Sequence, residues 1–246
     1  MRDRLQSGTL TKEEYYRQLL RIVYRLLFLF VAEDRELLHP TEVDPKASEL
    51  YDTYYSTRRL REMAERIRGS KHADLWHSLS LVFDSLGKDE GCPQLGLIGL
   101  GSFLWRSEST VDLNGPMTRS SETEPVFISN DDLLLSIRAL AYVEQDRVLR
   151  SVDYRNLGSE ELGSVYESLL ELHPQMHVEA KTFSLDTAAG NERKTTGSYY
   201  TPDSLVQCLL DSALEPVVEQ RLKEAKTISR RTLVPGSLPE DLPDWI

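Results

Sequence analysis

The sequence has little cysteine, fewer basic than acidic residues, and no apolar run long enough to span a membrane. Its 246 residues include two cysteines, Cys92 and Cys208, which form no CxxC pair. Two isolated cysteines are too few for a disulfide framework or a thiolate zinc site, and they suit a reducing cytoplasm. The first residues, MRDRLQSGTL, have no apolar core, so we expect no secretory signal there.

The charge balance and the apolar content limit the classes of function. Lysine and arginine number 29 against 40 aspartates and glutamates, a formal net charge of −11 at pH 7. An acidic chain is not a nucleic-acid platform over its whole surface, because phosphate binding depends on lysine and arginine. The most apolar stretch, 19–32, is only about 14 residues long and contains Arg21 and Arg25, so we predict a buried core helix there and no membrane span.

Hydrophobic periodicity and turn residues predict a mainly α-helical protein with a few short strands. The first long helix is expected to begin at Thr11, because Thr11 and Glu14 have the spacing of a capping box. The predicted helices run from Thr11 to about Leu38, over Ser48–Arg68, His72–Leu86, Asp131–Val143 with Asn130 as its cap, and Glu160–Leu172 with Ser159 as its cap, and the predicted strands are Val148–Val152 and part of 178–185.

The last quarter of the chain is predicted to hold one more long helix and a tail. Thr201 and Pro202 begin this helix, with Pro202 at its first position, and it continues to about Ala225. Three prolines after residue 234 exclude a helix or a central strand in the tail. The predicted divisions are a helical amino-terminal domain (1–150), a connector helix and strand (151–192), the opening segment of a second domain (193–226) and a flexible tail (227–246).

The most informative motif is RKTTGSYYTP at 193–202, which follows the amphipathic helix NLGSEELGSVYESLLELHP at 156–174. Gly197 permits close approach of the backbone to a ligand. The helix after Pro202 offers free N–H groups and the positive end of its dipole, which suit the carboxylate of an amino-acid-like ligand. An ordinary turn into a helix would carry the same residues, so spacing alone leaves both interpretations open.

Together the two segments resemble a region of adenine-specific DNA methyltransferases of the type IIG restriction and BREX-associated class. In that family a YExLL helix precedes motif X, G-[SX]-[FY]-[FY]-T-P, which lies beside the methionine part of S-adenosyl-L-methionine. Four consecutive residues match this motif, and the resemblance implies that they form one wall of the cofactor pocket. These residues are Tyr199, Tyr200, Thr201 and Pro202.

The resemblance covers most of residues 15–226, because LLFLFVAEDRELL (26–38) and DLLLSIRALAY (132–142) are similar to upstream helical elements of the same proteins. The sequence contains neither the glycine-rich cofactor loop of the family nor the N-P-P-[YF] motif that holds a flipped adenine. The resemblance therefore implies the amino-terminal portion of a site-specific DNA (adenine-N6) methyltransferase, leading into the first strand-turn-helix of a truncated α/β methyltransferase domain. Such an enzyme serves restriction-modification or phage defence, and we expect this portion to be inactive without a polypeptide carrying the missing motifs.

A basic stripe is the candidate for contact with the DNA backbone. Arg58, Arg61 and Arg68 share one face of the predicted second helix, and their spacing could follow a row of phosphates. A solvated helix face with i,i+4 pairs such as Arg61–Glu65 would show the same pattern. The alternative to a methyltransferase fragment is a non-catalytic helical adaptor that binds DNA or a partner protein.

A weaker hypothesis is a nuclease. Glu179 and Lys181 have the E-x-K spacing of a Mg²⁺-dependent nuclease, with Asp153 upstream, although a solvated strand carries that spacing equally well. Two further patterns predict no site. Gly96, Gly99 and Gly101 spell GxxGxG, which is not a dinucleotide loop and predicts a flexible loop, and Pro174 between His173 and His177 argues against a metal site on a shared helix face.

Overall fold

The protein is mainly α-helical, with two small two-stranded antiparallel sheets. It divides into two compact units, Met1–Glu192 and Arg193–Ile246. The computed structural model describes residues 2–66, 69–114, 127–145, 147–170, 172–177, 179–180, 182–187 and 201–232.

The longest helix of the first unit, α2 (Lys12–Asp34), follows the short α1 (Arg2–Gln6). Thr11 caps α2 as predicted, and its hydroxyl accepts the N–H of Glu14 at 3.1 Å. The helix ends before the predicted end because Glu36 has a left-handed φ of 58°, which a helix cannot contain. Neither α2 nor any other helix in the described ranges is long and apolar enough to cross a membrane.

The single helix predicted over Ser48–Arg68 is wrong, because two helices occupy this region. They are α3 (Pro45–Tyr54) and α4 (Thr57–Arg66). The two connecting residues both donate their N–H groups to the carbonyl of Tyr51, at 2.8 and 2.9 Å, which turns the chain away from the axis of α3. The new helix start is then satisfied by a carboxylate from α2, that of Glu33.

The helices α5 (Asp74–Gly87) and α6 (Asn130–Ala141) confirm two predicted helices to within a few residues. Ser129 caps α6, one residue before the predicted cap, and accepts a backbone N–H of the first turn at 3.1 Å. The amide oxygen of Asn130 instead accepts the N–H of Leu75 at 3.2 Å. Asn130 therefore joins the starts of α5 and α6.

A buried core lies between α2, α4, α5 and α6. The loop between α5 and α6 also packs on this core, through Leu97 and Trp105. The loop was predicted to be flexible, but its start is tightly packed, because a Cβ on Gly99 would lie 2.0 Å from the carbonyl oxygen of Lys88. The largest fully buried side chains include Trp76, Tyr51, Phe30, Leu29, Leu79, Leu86 and Ile137.

The first β hairpin follows α6 directly. Its strands are β1 (Tyr142–Gln145) and β2 (Val148–Ser151), and β2 confirms the strand predicted at Val148–Val152. The partner strand β1 was not predicted. Its residues continue the apolar spacing of α6, and only the pairing with β2 shows that they are extended.

The second hairpin follows α7 (Ser159–Leu170). It is formed by β3 (Leu172–His177) and β4 (Thr182–Thr187). The strand β3 begins at Leu172, where the predicted helix was expected to end. The strand β4 confirms part of the strand expected within 178–185. This connector packs against α2, since the hydroxyl of Tyr16 donates to the carbonyl of Leu169 at 2.9 Å. The end of α7 and the strand β3 therefore contact α2 directly.

The second unit is helical from Asp203 to Thr232, the last of its described residues. A π-helical turn (Leu210–Leu214) separates α8 (Asp203–Leu209) from α9 (Glu215–Thr232), where one continuous helix to about Ala225 was predicted. Pro216 explains the turn, because proline has no N–H to donate and its ring clashes with the carbonyl four residues earlier. The helix α9 also continues past the predicted end at about Ala225, to Thr232, which precedes the first proline of the tail.

Candidate nucleic-acid interface

Half of the predicted cofactor motif lies within the described residues. Tyr199 and Tyr200 lie outside them. Thr201 and Pro202 are exposed, and Pro202 is extended (φ −54°, ψ 140°) immediately before α8, one residue earlier than its predicted place in the helix. Its carbonyl accepts the N–H of Leu205 at 2.9 Å, which begins the helix.

The arginines predicted to contact the DNA backbone bind the end of α2. Arg61 forms a bidentate ion pair with Asp34, at 2.6 and 3.0 Å, and its guanidinium lies 4.9 Å from the centre of the Phe30 ring. Arg58 donates to the carbonyl of Glu33 at 2.7 Å. Arg68 lies outside the described residues. The side chain of Arg61 is 13% exposed, so much of its charge is directed into the protein.

Glu33 is the buried acid beside these arginines. One of its oxygens accepts the hydroxyl of Tyr51 at 2.7 Å and the N–H of Thr57 at 2.8 Å. The other accepts the hydroxyl of Thr57 and the N–H of Arg58, both at 2.7 Å. Burial raises the pKa of Glu33, and the four hydrogen bonds partly offset that rise. The carboxylate satisfies the free N–H groups at the start of α4, so Glu33 fixes α4 to α2.

Arg25 is a second buried charge, and it lies in the stretch predicted to form a core helix. Its guanidinium donates to the carbonyls of Leu104 and Arg106, at 2.8 and 3.0 Å, and to the hydroxyl of Ser109 at 2.8 Å. It also lies over the ring of Phe83, 5.1 Å from the centre. Burial lowers the pKa of Arg25 to about 10. Arg25 therefore positions the loop between α5 and α6.

Two exposed arginines lie on the first hairpin. Arg147 follows β1 and Arg150 lies on β2, and both are exposed. Within the described part of the chain neither side chain forms an ion pair or a hydrogen bond. This hairpin therefore exposes two guanidinium groups, whereas Arg58 and Arg61 of α4 bind the end of α2.

The described residues give no geometric support to the nuclease hypothesis. Glu179 is exposed and Lys181 lies outside the described residues. The carboxylate of Asp153 accepts the N–H and the side-chain amide of Asn156, at 3.1 and 2.7 Å, which lowers the pKa of Asp153. No group of three or more potential metal ligands occurs among the residues that the structure describes.

Two other sequence patterns have structural explanations. His173 and His177 lie on β3, where alternate side chains share a face, and both are exposed. Gly96, Gly99 and Gly101 lie in the packed loop between α5 and α6. Gly96 and Gly101 have φ values of 64° and 61°, which glycine adopts without strain.

Comparisons with protein-family models, with curated proteins and with solved structures found no match for this chain. The resemblance to adenine-specific methyltransferases therefore depends on the motif residues themselves. Sequence reasoning missed the roles of Glu33, Asp34 and Arg25. Charged residues within or directly after an apolar helix were the available signal, because a buried charge needs a partner.

Proposed function

We propose that this chain is the amino-terminal portion of a site-specific DNA (adenine-N6) methyltransferase of a restriction-modification or phage-defence system. One observation supports this most strongly. The second compact unit begins at Arg193, which is the first residue of the motif RKTTGSYYTP. A motif that opens a separate unit is what a cofactor-binding domain would require at this position.

The apolar side chains of the second unit also support the proposal. Leu205, Leu209, Val217 and Leu222 are between 54% and 65% exposed. An apolar surface of this kind normally packs against another element, since helices gain most of their stability from tertiary contacts. In the methyltransferases that the motif resembles, the missing sheet would supply that contact.

In this proposal the first unit is a helical scaffold that brings DNA to the catalytic domain. S-adenosyl-L-methionine would contact Tyr199, Tyr200, Thr201 and Pro202 when the rest of the domain is present. The chain alone lacks the glycine-rich loop and the N-P-P-[YF] motif, so we expect it neither to bind the cofactor tightly nor to methylate DNA. The catalytic step is assigned to the polypeptide that supplies those motifs.

The first test is the reading frame in the DNA downstream of the codon for Ile246. We expect a frame that encodes both missing motifs, and its product should bind this chain. Leu209→Lys with Val217→Lys should abolish that binding, because both side chains are large, apolar and more than half exposed. Leu135→Lys is the matched control, since Leu135 is 68% exposed on the first unit. Binding unaffected by the double substitution would contradict the proposal.

The alternative function is a non-catalytic adaptor. The first unit favours it, because its described residues form a buried core and its buried carboxylate, Glu33, accepts four hydrogen bonds within the unit. An adaptor would bind DNA or a partner protein, and no downstream product would give it methyltransferase activity. A locus without the two missing motifs would favour this alternative.

A further inference from the structure

The hairpin β1–β2 is an exposed ribbon with a fixed base. At its start, the hydroxyl of Tyr142 donates to the carbonyl of Arg61 at 3.0 Å. At its end, the N–H of Val152 donates to the carbonyl of Ala141 at 2.9 Å. Tyr154 follows with 4% of its surface exposed. Between Tyr142 and Val152 every described residue is exposed, so the ribbon is held at its base and uncovered along its length.

The strand register separates the charges of the ribbon by face. Val143 pairs with Arg150 and Gln145 pairs with Val148, so these four side chains share one face. Glu144 lies on the opposite face. The first face therefore combines a guanidinium and an amide with two half-exposed valines, and it carries no carboxylate of either strand.

Both arginines of the ribbon, Arg147 and Arg150, are exposed. The ribbon has no net charge, because Glu144 and Asp146 balance Arg147 and Arg150 in the sequence, so the separation by face is what matters. Arg147 has a φ of 62°, an uncommon conformation for a residue other than glycine. Neither arginine forms an ion pair or hydrogen bond with another described residue, whereas the two described arginines of the predicted DNA stripe are bound to the end of α2.

We propose that the face bearing Val143, Gln145, Val148 and Arg150 enters a groove of duplex DNA. A two-stranded ribbon fits the major groove, where Gln145 can donate to base edges and the valines can contact thymine methyl groups. Arg150 and Arg147 contact phosphates on either side and orient the ribbon. This inference rests on the proposed function in one respect, namely that the protein acts on DNA.

The test measures binding of the complete chain to a fluorescently labelled DNA duplex of mixed sequence, by anisotropy over a range of salt concentrations. The variant is Arg147→Asn with Arg150→Gln, since asparagine tolerates a positive φ. The matched control is Lys12→Gln with Arg17→Gln, which removes two exposed charges of α2. We expect the hairpin variant to bind about tenfold more weakly or worse, with the salt slope reduced by about 1 to 2. The control should bind as the wild type does.

Three outcomes would overturn the inference. They are no binding of the wild-type chain to DNA, equal loss in the hairpin variant and in the control, and unchanged binding in the hairpin variant. If the hairpin binds a protein and not DNA, the wild-type chain will not bind the duplex, which is the first of these outcomes. Failure of the proposed function is a separate result, because it is measured as methyl transfer by the completed enzyme. A hairpin-dependent DNA affinity without any methyl transfer would retain this inference and favour the adaptor.

Discussion

Replacing Glu33 by glutamine should destabilise the first unit by about 2–4 kcal/mol, because an amide cannot accept every hydrogen bond that reaches this carboxylate. One oxygen accepts the N–H of Thr57 and the other accepts the N–H of Arg58. In glutamine an NH2 group stands in place of one of these two oxygens. Its hydrogens would then point at the backbone N–H that the replaced oxygen had accepted. That N–H loses its acceptor at a cost of about 1–3 kcal/mol, and the hydroxyl that shares the same oxygen loses a hydrogen bond worth about 1 kcal/mol.

The assay is urea unfolding followed by tryptophan fluorescence. Trp76 and Trp105 are 1% and 3% exposed, so their emission reports unfolding of the first unit. The control is Glu49→Gln on α3, where the side chain is exposed, and we expect a change within about 0.5 kcal/mol. The midpoint should fall for Glu33→Gln while the slope m stays unchanged, since the surface exposed on unfolding is the same.

The pH dependence of the difference between wild type and Glu33→Gln has a definite sign. Burial raises the pKa of Glu33 above its ordinary value of 4.5. A raised folded pKa means that the folded state binds a proton more readily than the unfolded state. The advantage of wild type over the glutamine variant is therefore largest below pH 4.5 and declines as the pH rises through the folded pKa. Equal midpoints for the two proteins at neutral and at acid pH would refute the role given to Glu33.

Three further predictions follow from the first unit. Burial raises the pKa of Tyr24 and Tyr154 to about 12, so their ultraviolet titration should occur above the ordinary tyrosine range, and the stability that they contribute should fall as the pH rises from about 10 toward 12. Arg25→Met should lower the free energy of unfolding, measured in urea, by about 2–4 kcal/mol, because it removes the three hydrogen bonds that join α2 to the loop between α5 and α6. Gly99→Ala should cost about 1–3 kcal/mol, because its Cβ meets a backbone oxygen, whereas Gly158→Ala meets only a movable glutamate side chain and should cost less.

Local sequence signals predicted the elements that depend on neighbouring residues. The capping box at Thr11 and the apolar spacing of α5 and α6 are of this kind. The break between α3 and α4 depends on Glu33, which lies 24 residues before Thr57. Nothing within 48–68 encodes that contact, so helical periodicity continued through the break. The π-helical turn is different, because Pro216 was a local signal for it.

The predicted DNA stripe shows the same limit for a candidate site. Helical spacing correctly placed Arg58 and Arg61 in a helix, although the single helix predicted over Ser48–Arg68 was wrong. The spacing carried no information on Asp34 or the carbonyl of Glu33, which bind these arginines. Periodicity also could not predict the hairpin face, because the pairing of Val143 with Arg150 across the two strands defines that face. The cofactor motif was identified by its residues alone, and its role stays a prediction.

Transfer of a radioactive methyl group from S-adenosyl-L-methionine to duplex DNA tests the central claim most directly. The reaction is run with this chain alone, with the polypeptide encoded downstream alone, and with both together. We predict transfer to adenine N6 only with both, and its loss when Tyr199 and Tyr200 are replaced by alanine while exposed Tyr54→Ala has no effect. Robust methylation by the chain alone, or none with both polypeptides, would contradict the account.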